Sequence, residues 1–209
     1  MKNFLALSLL LIILLGCSQD GDLKVINQTN YNLYLNIEHN DYIVNGDNIL
    51  FINFEMGKKF LVWSDSSRKY GLYLEGETFV MQETIDDNLT DVYYTEVEIE
   101  AGKTKKVFVK PTHTSFKIKN NTENNISNLT YITTKLGSTN DQNQVLMAEN
   151  VDSNSTLFKQ IPYTDLQNPI FRIEFQFYYE GDLYIYDVTQ DNELIILGKD
   201  EQFLVEFGE

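Results

Sequence analysis

The chain has few side chains able to do covalent or metal chemistry: two His and one Cys among 209 residues, beside 31 Asp and Glu. Two histidines leave almost no material for a transition-metal cage or a histidine-based active site. His39 precedes Asn40-Asp41 and His113 falls in Pro111-Thr112-His113-Thr114, so both sit among turn residues with no nucleophile motif beside them. A serine hydrolase of the common kind needs a Gly-x-Ser-x-Gly elbow, and the chain has none. Zinc-hydrolase spacing, a phosphate-cradling glycine loop and a dinucleotide fingerprint are missing too. Carboxylate chemistry remains. Two acids at a fixed separation run glycoside hydrolysis, but with 31 acids no particular pair stands out. The densest acidic run is Asp86-Asp87-Asn88-Leu89-Thr90-Asp91, and such loops offer the oxygens that Ca²⁺ takes. Asp86, Asp87 and Asp91 are therefore calcium candidates. The alternative is a solvated loop, since the run lacks the Gly and trailing Glu of an EF-hand loop. No catalytic residue is identified and no cofactor is implied, so the chain is read as a non-enzyme.

Charge and composition narrow the partners. Sixteen Lys and Arg against 31 acids give a net charge of −15, which excludes a general nucleic-acid role, because phosphate backbones are bound by basic surfaces that displace counterions. An apolar content of 43% suffices for a packed core. Thirteen Tyr, 13 Phe and only 3 Pro favour strands joined by polar turns.

The first residues specify an address. Met1-Lys2-Asn3 is a short positive start, and the apolar run from Phe4 to Leu15, broken only by Ser8, is too short to cross a hydrocarbon core of about 30 Å as a helix. Residues 1–16 read as a signal peptide. The run closes on Leu14-Leu15-Gly16-Cys17, and here the chain resembles bacterial lipoproteins, whose lipobox sets a small residue before a Cys that is lipid-modified and becomes the mature N-terminus. The resemblance implies acyl chains on Cys17, hence a membrane partner reached through the lipid, with 17–22 as the tether. More than one acyl chain gives stable anchoring. Ser18 is not the Asp that retains some lipoproteins at the inner membrane, so the family's sorting rule leans to the outer membrane or cell surface.

The rest reads as two similar halves. Leu23 to Leu33 can be laid on Phe116 to Ile126 at an offset of 93 residues, with Lys24, Asn27, Thr29 and Asn32 falling on Lys117, Asn120, Thr122 and Asn125. Each half then has a Glu-Gly-acid turn, Glu75-Gly76-Glu77 and Glu180-Gly181-Asp182, and a Gly-Lys turn, Gly102-Lys103 and Gly198-Lys199. Landmarks repeated in order indicate a tandem duplication, with the polar stretch Glu83 to Asp91 as an extra loop in the first half.

Strands should position these landmarks. A two-residue loop at Gly181 sets Ile173, Phe175, Phe177 and Tyr179 on one face with Tyr184, Tyr186 and Val188, while Tyr178 stands opposite beside Leu183 and Ile185. The same test at Gly76 gathers Tyr70, Leu72, Leu74, Phe79 and Met81. Further strands are expected at 49–54, 60–63, 92–99, 105–109, 115–119, 129–134, 194–197 and 203–207. The fold class is all-β: two tandem β-sandwich domains, Ig-like or similar, over 23–111 and 115–209, with one larger sandwich as the alternative. Trp63 and Tyr178 are aromatics able to anchor a ligand or to pack in the core.

A tethered pair of sandwiches without a nucleophile motif offers surfaces and loops, the material of binding modules. A non-catalytic binding module with a protein or glycan ligand is therefore expected. A structural envelope component and a carboxylate-dependent glycan hydrolase are the alternatives. Mass spectrometry of the membrane fraction is expected to find acylated Cys17, and Cys17→Ala to leave that fraction; a free thiol, or unchanged partition of the variant, would overturn the anchor.

Overall fold

A computed structural model describes residues 20–56, 67–135, 142–162, 171–188 and 198–208. The signal peptide, Cys17, Trp63 and the strands expected at 60–63 and 194–197 lie outside these residues. Two compact units form, one of residues 1–75 and 81–110, the other of 76–80 and 111–209.

In the first unit, alternation builds the strands. In β1 (Gly21–Asn27) Leu23, Val25 and Asn27 point inward while Asp22, Lys24 and Ile26 point out. The chain continues through β2 (Leu33–Ile37), β3 (Asn40–Val44), β4 (Ile49–Phe54), β5 (Ser67–Gly76), β6 (Met81–Ile85), β7 (Asn88–Val92), β8 (Tyr94–Glu100) and β9 (Thr104–Val109). Two sheets result, β4-β1-β9 and β3-β2-β5-β8, plus the separate hairpin β6-β7. β1 runs antiparallel to β4 and parallel to β9.

The second unit repeats the plan. β10 (His113–Asn120), β11 (Ile126–Lys135), β12 (Gln142–Val151), β13 (Ser155–Pro162), β14 (Phe171–Tyr179), β15 (Asp182–Asp187) and β16 (Gln202–Phe207) give the sheets β13-β10-β16 and β12-β11-β14-β15. β10 is antiparallel to β13 and parallel to β16, as β1 is to β4 and β9. The all-β class with two tandem sandwiches is thus what the chain forms, and strand order matches strand for strand once β6-β7 is set aside as an insertion. In the immunoglobulin arrangement the first strand shares a sheet with the second, fourth and fifth; here it lies between the fourth and the last. The sandwiches are of a similar kind, with a different order.

One side chain in each unit joins the two sheets. Asn27 and Asn120 are 2% and 0% exposed. The Asn27 Nδ2 lies within hydrogen-bonding distance of the carbonyls of Tyr31 (2.8 Å), Val44 (3.0 Å) and Asn45 (3.1 Å), and its Oδ1 accepts from Thr29 N (3.0 Å) and Oγ1 (2.9 Å). Asn120 faces Asn124, Val151 and Asp152 in the same way (2.9, 3.1 and 3.1 Å) and accepts from Thr122 N (3.1 Å) and Oγ1 (2.6 Å). The Asn and Thr that recur at the 93-residue offset are therefore two copies of one corner.

Packing follows the alternation. Phe116 is fully buried and meets Phe175 edge-on at 5.1 Å and Tyr131 at 5.5 Å, and Phe177 lies 4.4 Å from Phe207. The Gly181 turn is as expected: Glu180 and Gly181 take positive φ, and Phe177 pairs with Tyr184. A φ of +91° is a backbone setting that glycine alone adopts freely. Tyr184, expected on the core face, is 46% exposed. It stacks on Phe177 at 5.7 Å and meets Tyr179 edge-on at 6.0 Å, but β15 is the end strand of its four-stranded sheet, and its outer side stays open to solvent.

Other expectations shift. Gly76 and Phe79 exchange backbone hydrogen bonds, so the turn residues are Glu77-Thr78, and the segment 76–80 belongs to the second unit. The strand expected over 92–99 breaks at Tyr93, since Val92 closes β7. His113 and Thr114 are not junction residues; they open β10 and are buried. The expected loop 83–91 is the β6-β7 hairpin.

Removing the Asn corner should be costly. Each buried polar group left unpartnered costs about 1–3 kcal/mol, so Asn120→Ala should lose about 3 kcal/mol or more in urea unfolding, whereas exposed Asn150→Ala should stay within about 0.5 kcal/mol.

Candidate functional site

The outward face of β3-β2-β5-β8 collects tyrosines. Tyr34 pairs with Ile43, and Asn36 pairs with Asp41, its Nδ2 donating to Oδ1 at 2.7 Å. Tyr73 pairs with Tyr94, their rings 4.9 Å apart and tilted by 54°. A Cβ on Gly71 would stand 2.9 Å from the Tyr94 ring, so the ring lies over the glycine and rests against the backbone. Tyr93, between β7 and β8, completes the group, its carbonyl accepting from Leu74 N at 3.0 Å.

These side chains border a shallow depression of about 400 Å³ lined by Tyr34, Tyr42, Ile43, Tyr73 and Tyr93, with Asp41 and Glu75 also in its wall. Ile43, Tyr73, Tyr93 and Tyr94 are exposed. Among the described residues the lining holds acids and no Lys or Arg. Partial burial, and then the charges of Glu75 and Asp91, hold the Tyr93 phenol above its ordinary value. Such a surface can stack flat or cationic groups and accept hydrogen bonds. A second depression of about 310 Å³ is lined by Glu38, Asn40, Tyr42, Asn53, Glu55 and Arg68 among others.

The other candidates disperse. Asp86 and Asp87 are the positive-φ turn residues of the β6-β7 hairpin. Asp91 lies three residues beyond Asn88 along β7, about 10 Å at the rise of a strand, and accepts from Gln82 Nε2 at 3.1 Å. No group of three or more His, Cys, Asp or Glu suited to a metal occurs among the described residues. His39 is a positive-φ turn residue between β2 and β3, and the buried His113 meets Thr112 Oγ1 through Nδ1 at 2.8 Å. Glu77 is the one buried acid among the described residues. It holds Lys117 at 3.1 Å and accepts from Gln202 at 2.8 Å, which engages it in structure. Tyr178, Leu183 and Ile185 share an exposed outward face in the second unit, as expected.

Tyr34, Tyr73, Tyr93 and Tyr94 were not legible as a group. Placing Tyr70, Leu72 and Leu74 inward leaves Tyr73 outward, but only the pairing of β5 with β8 brings Tyr94 beside it.

The fold is that of a protein of tandem all-β sandwiches. No protein-family model matches the chain, and no curated protein does. Among solved structures it is similar to the TIE protein of Bacillus anthracis (9% identity, TM-score 0.27), covering 90% of this chain and 34% of that one, so the chain spans about a third of that protein's length. It is also similar to a DUF3823 family protein from Bacteroides ovatus (9% identity, TM-score 0.24, covering 81% and 97%). A further similarity is to the major pilin protein of Streptococcus pyogenes (11% identity, TM-score 0.23, covering 91% and 96%).

The Tyr93 environment is measurable. Its ring resonances should titrate above the usual tyrosine value of about 10, and Glu75→Gln should bring the midpoint down; an unmoved midpoint would remove Glu75 as a cause.

Proposed function

We propose that the chain is anchored through lipid on Cys17 to the bacterial envelope, at the outer membrane or cell surface, and acts as a non-catalytic binding module for a protein or glycan. The observation that carries this is the exposed tyrosine face of the first unit, where Tyr73 and Tyr94 pack on each other and Tyr94 rests on Gly71. Rings held in this way lose little conformational entropy on binding, which is what makes aromatic residues effective anchors. The arrangement favours binding over the hydrolase alternative, because hydrolysis needs a second acid converging on a desolvated one. Glu77 instead faces Lys117 and Gln202.

The test is retention of envelope proteins or glycans by the chain, with and without calcium, compared with Tyr73→Ala/Tyr94→Ala. Both residues are exposed, so the variant should fold. Loss of anchors worth about 2 kcal/mol or more should weaken binding about 30-fold. Unchanged retention would overturn the assignment of the face. Turnover of a glycan, abolished by changing one acid, would overturn the non-catalytic reading.

A further inference from the structure

We propose that the outward face of β4-β1-β9 in the first unit lies on an anionic bilayer surface; this rests on the anchoring at Cys17 proposed above. The register defines the face. Phe51, Lys24 and Lys106 stand side by side across the three strands, and Ile49, Ile26 and Phe108 form the next row. Phe51 is 62% and Phe108 57% exposed. The Lys24 ammonium lies 4.9 Å from the centroid of the Phe51 ring, so cation and aromatic are presented together. Among the described residues within these three strands the outward acid is Asp22, which accepts from Asn53 Nδ2 at 3.0 Å and lies 3.4 Å from Thr104 Oγ1.

Two physical facts choose the occupant. In a chain of net charge −15, this face sets two lysines among exposed apolar side chains, and anionic headgroups attract basic residues while apolar side chains enter the headgroup boundary. The tether is also short. Three residues lie between Cys17 and Gly21, the first residue of β1, so four Cα steps give a reach of at most about 14 Å, and β1 is the central strand of this sheet. The opposite face of the same sandwich, with Asp41 and Glu75 around its tyrosines, is repelled by anionic lipid and is left to the ligand.

The experiment reconstitutes the full chain through Cys17 into vesicles of phosphatidylcholine, with or without phosphatidylglycerol, and reads hydroxyl-radical labelling residue by residue. Where mass spectrometry finds the Cys17 thiol free, it is coupled to a maleimide-bearing lipid, so anchor and face are judged separately. With phosphatidylglycerol, labelling of Phe51 and Phe108 should fall several-fold while that of Tyr73 and Tyr94 stays unchanged. Lys24→Glu/Lys106→Glu should restore labelling of both phenylalanines without detaching the chain. Equal labelling of Phe51 and Phe108 with and without phosphatidylglycerol, or protection of Tyr73 and Tyr94 in their place, would overturn the proposal. A free thiol at Cys17 would overturn the anchoring alone, and the footprint would then decide the face.

Discussion

A buried asparagine at the end of the first strand is the constraint on which each sandwich depends. β1 and β10 end where the chain must leave one sheet and enter the other, a corner that brings together backbone carbonyls from several segments. Asn27 and Asn120 each place an amide against three of them and accept a backbone N–H and a hydroxyl in return. A buried carbonyl without a partner is expensive, so the corner is satisfied by one side chain whose donors and acceptor are all used. The carbonyls of Val44 and Val151 close β3 and β12. Each asparagine therefore ties a strand of the three-stranded sheet to one of the four-stranded sheet and sets how the two sheets meet.

With the corner fixed, alternation decides the rest. Every second residue of a strand is committed to the core, and what remains outside is free to vary. In the first unit the two outward faces have diverged in chemistry. The four-stranded sheet shows tyrosines rimmed by acids, and the three-stranded sheet shows phenylalanines beside lysines. Such a sandwich can meet two different environments at once, because neither face is needed to hold the fold.

The duplication shows the same tolerance. Between β5 and β8 the first unit carries the β6-β7 hairpin, where the second unit joins β14 to β15 by the two-residue Glu180-Gly181 turn. The segment 76–80 before that hairpin belongs to the second unit, and it sets the buried Glu77 against the partly exposed Lys117. An ion pair of this kind stabilises little in itself, but removing Lys117 would strand the buried carboxylate, which makes the placement of the segment specific.

Much of this was legible in the chain order of residues. The all-β class, the duplication, the Gly181 hairpin and the inward set Leu72, Leu74, Phe175 and Phe177 all follow from alternation and from landmarks repeated in order, because the side-chain period of a strand is a local property. The fate of Tyr184 was not legible, since alternation assigns a residue to a face without saying whether another sheet lies over that face. Nor was the parallel pairing of first and last strands, the placement of 76–80, the burial of His113 or the meeting of Tyr73 with Tyr94. Each of these depends on which distant segments pair, and pairing is chosen by the summed burial and hydrogen bonding of whole sheets, a quantity no local window contains.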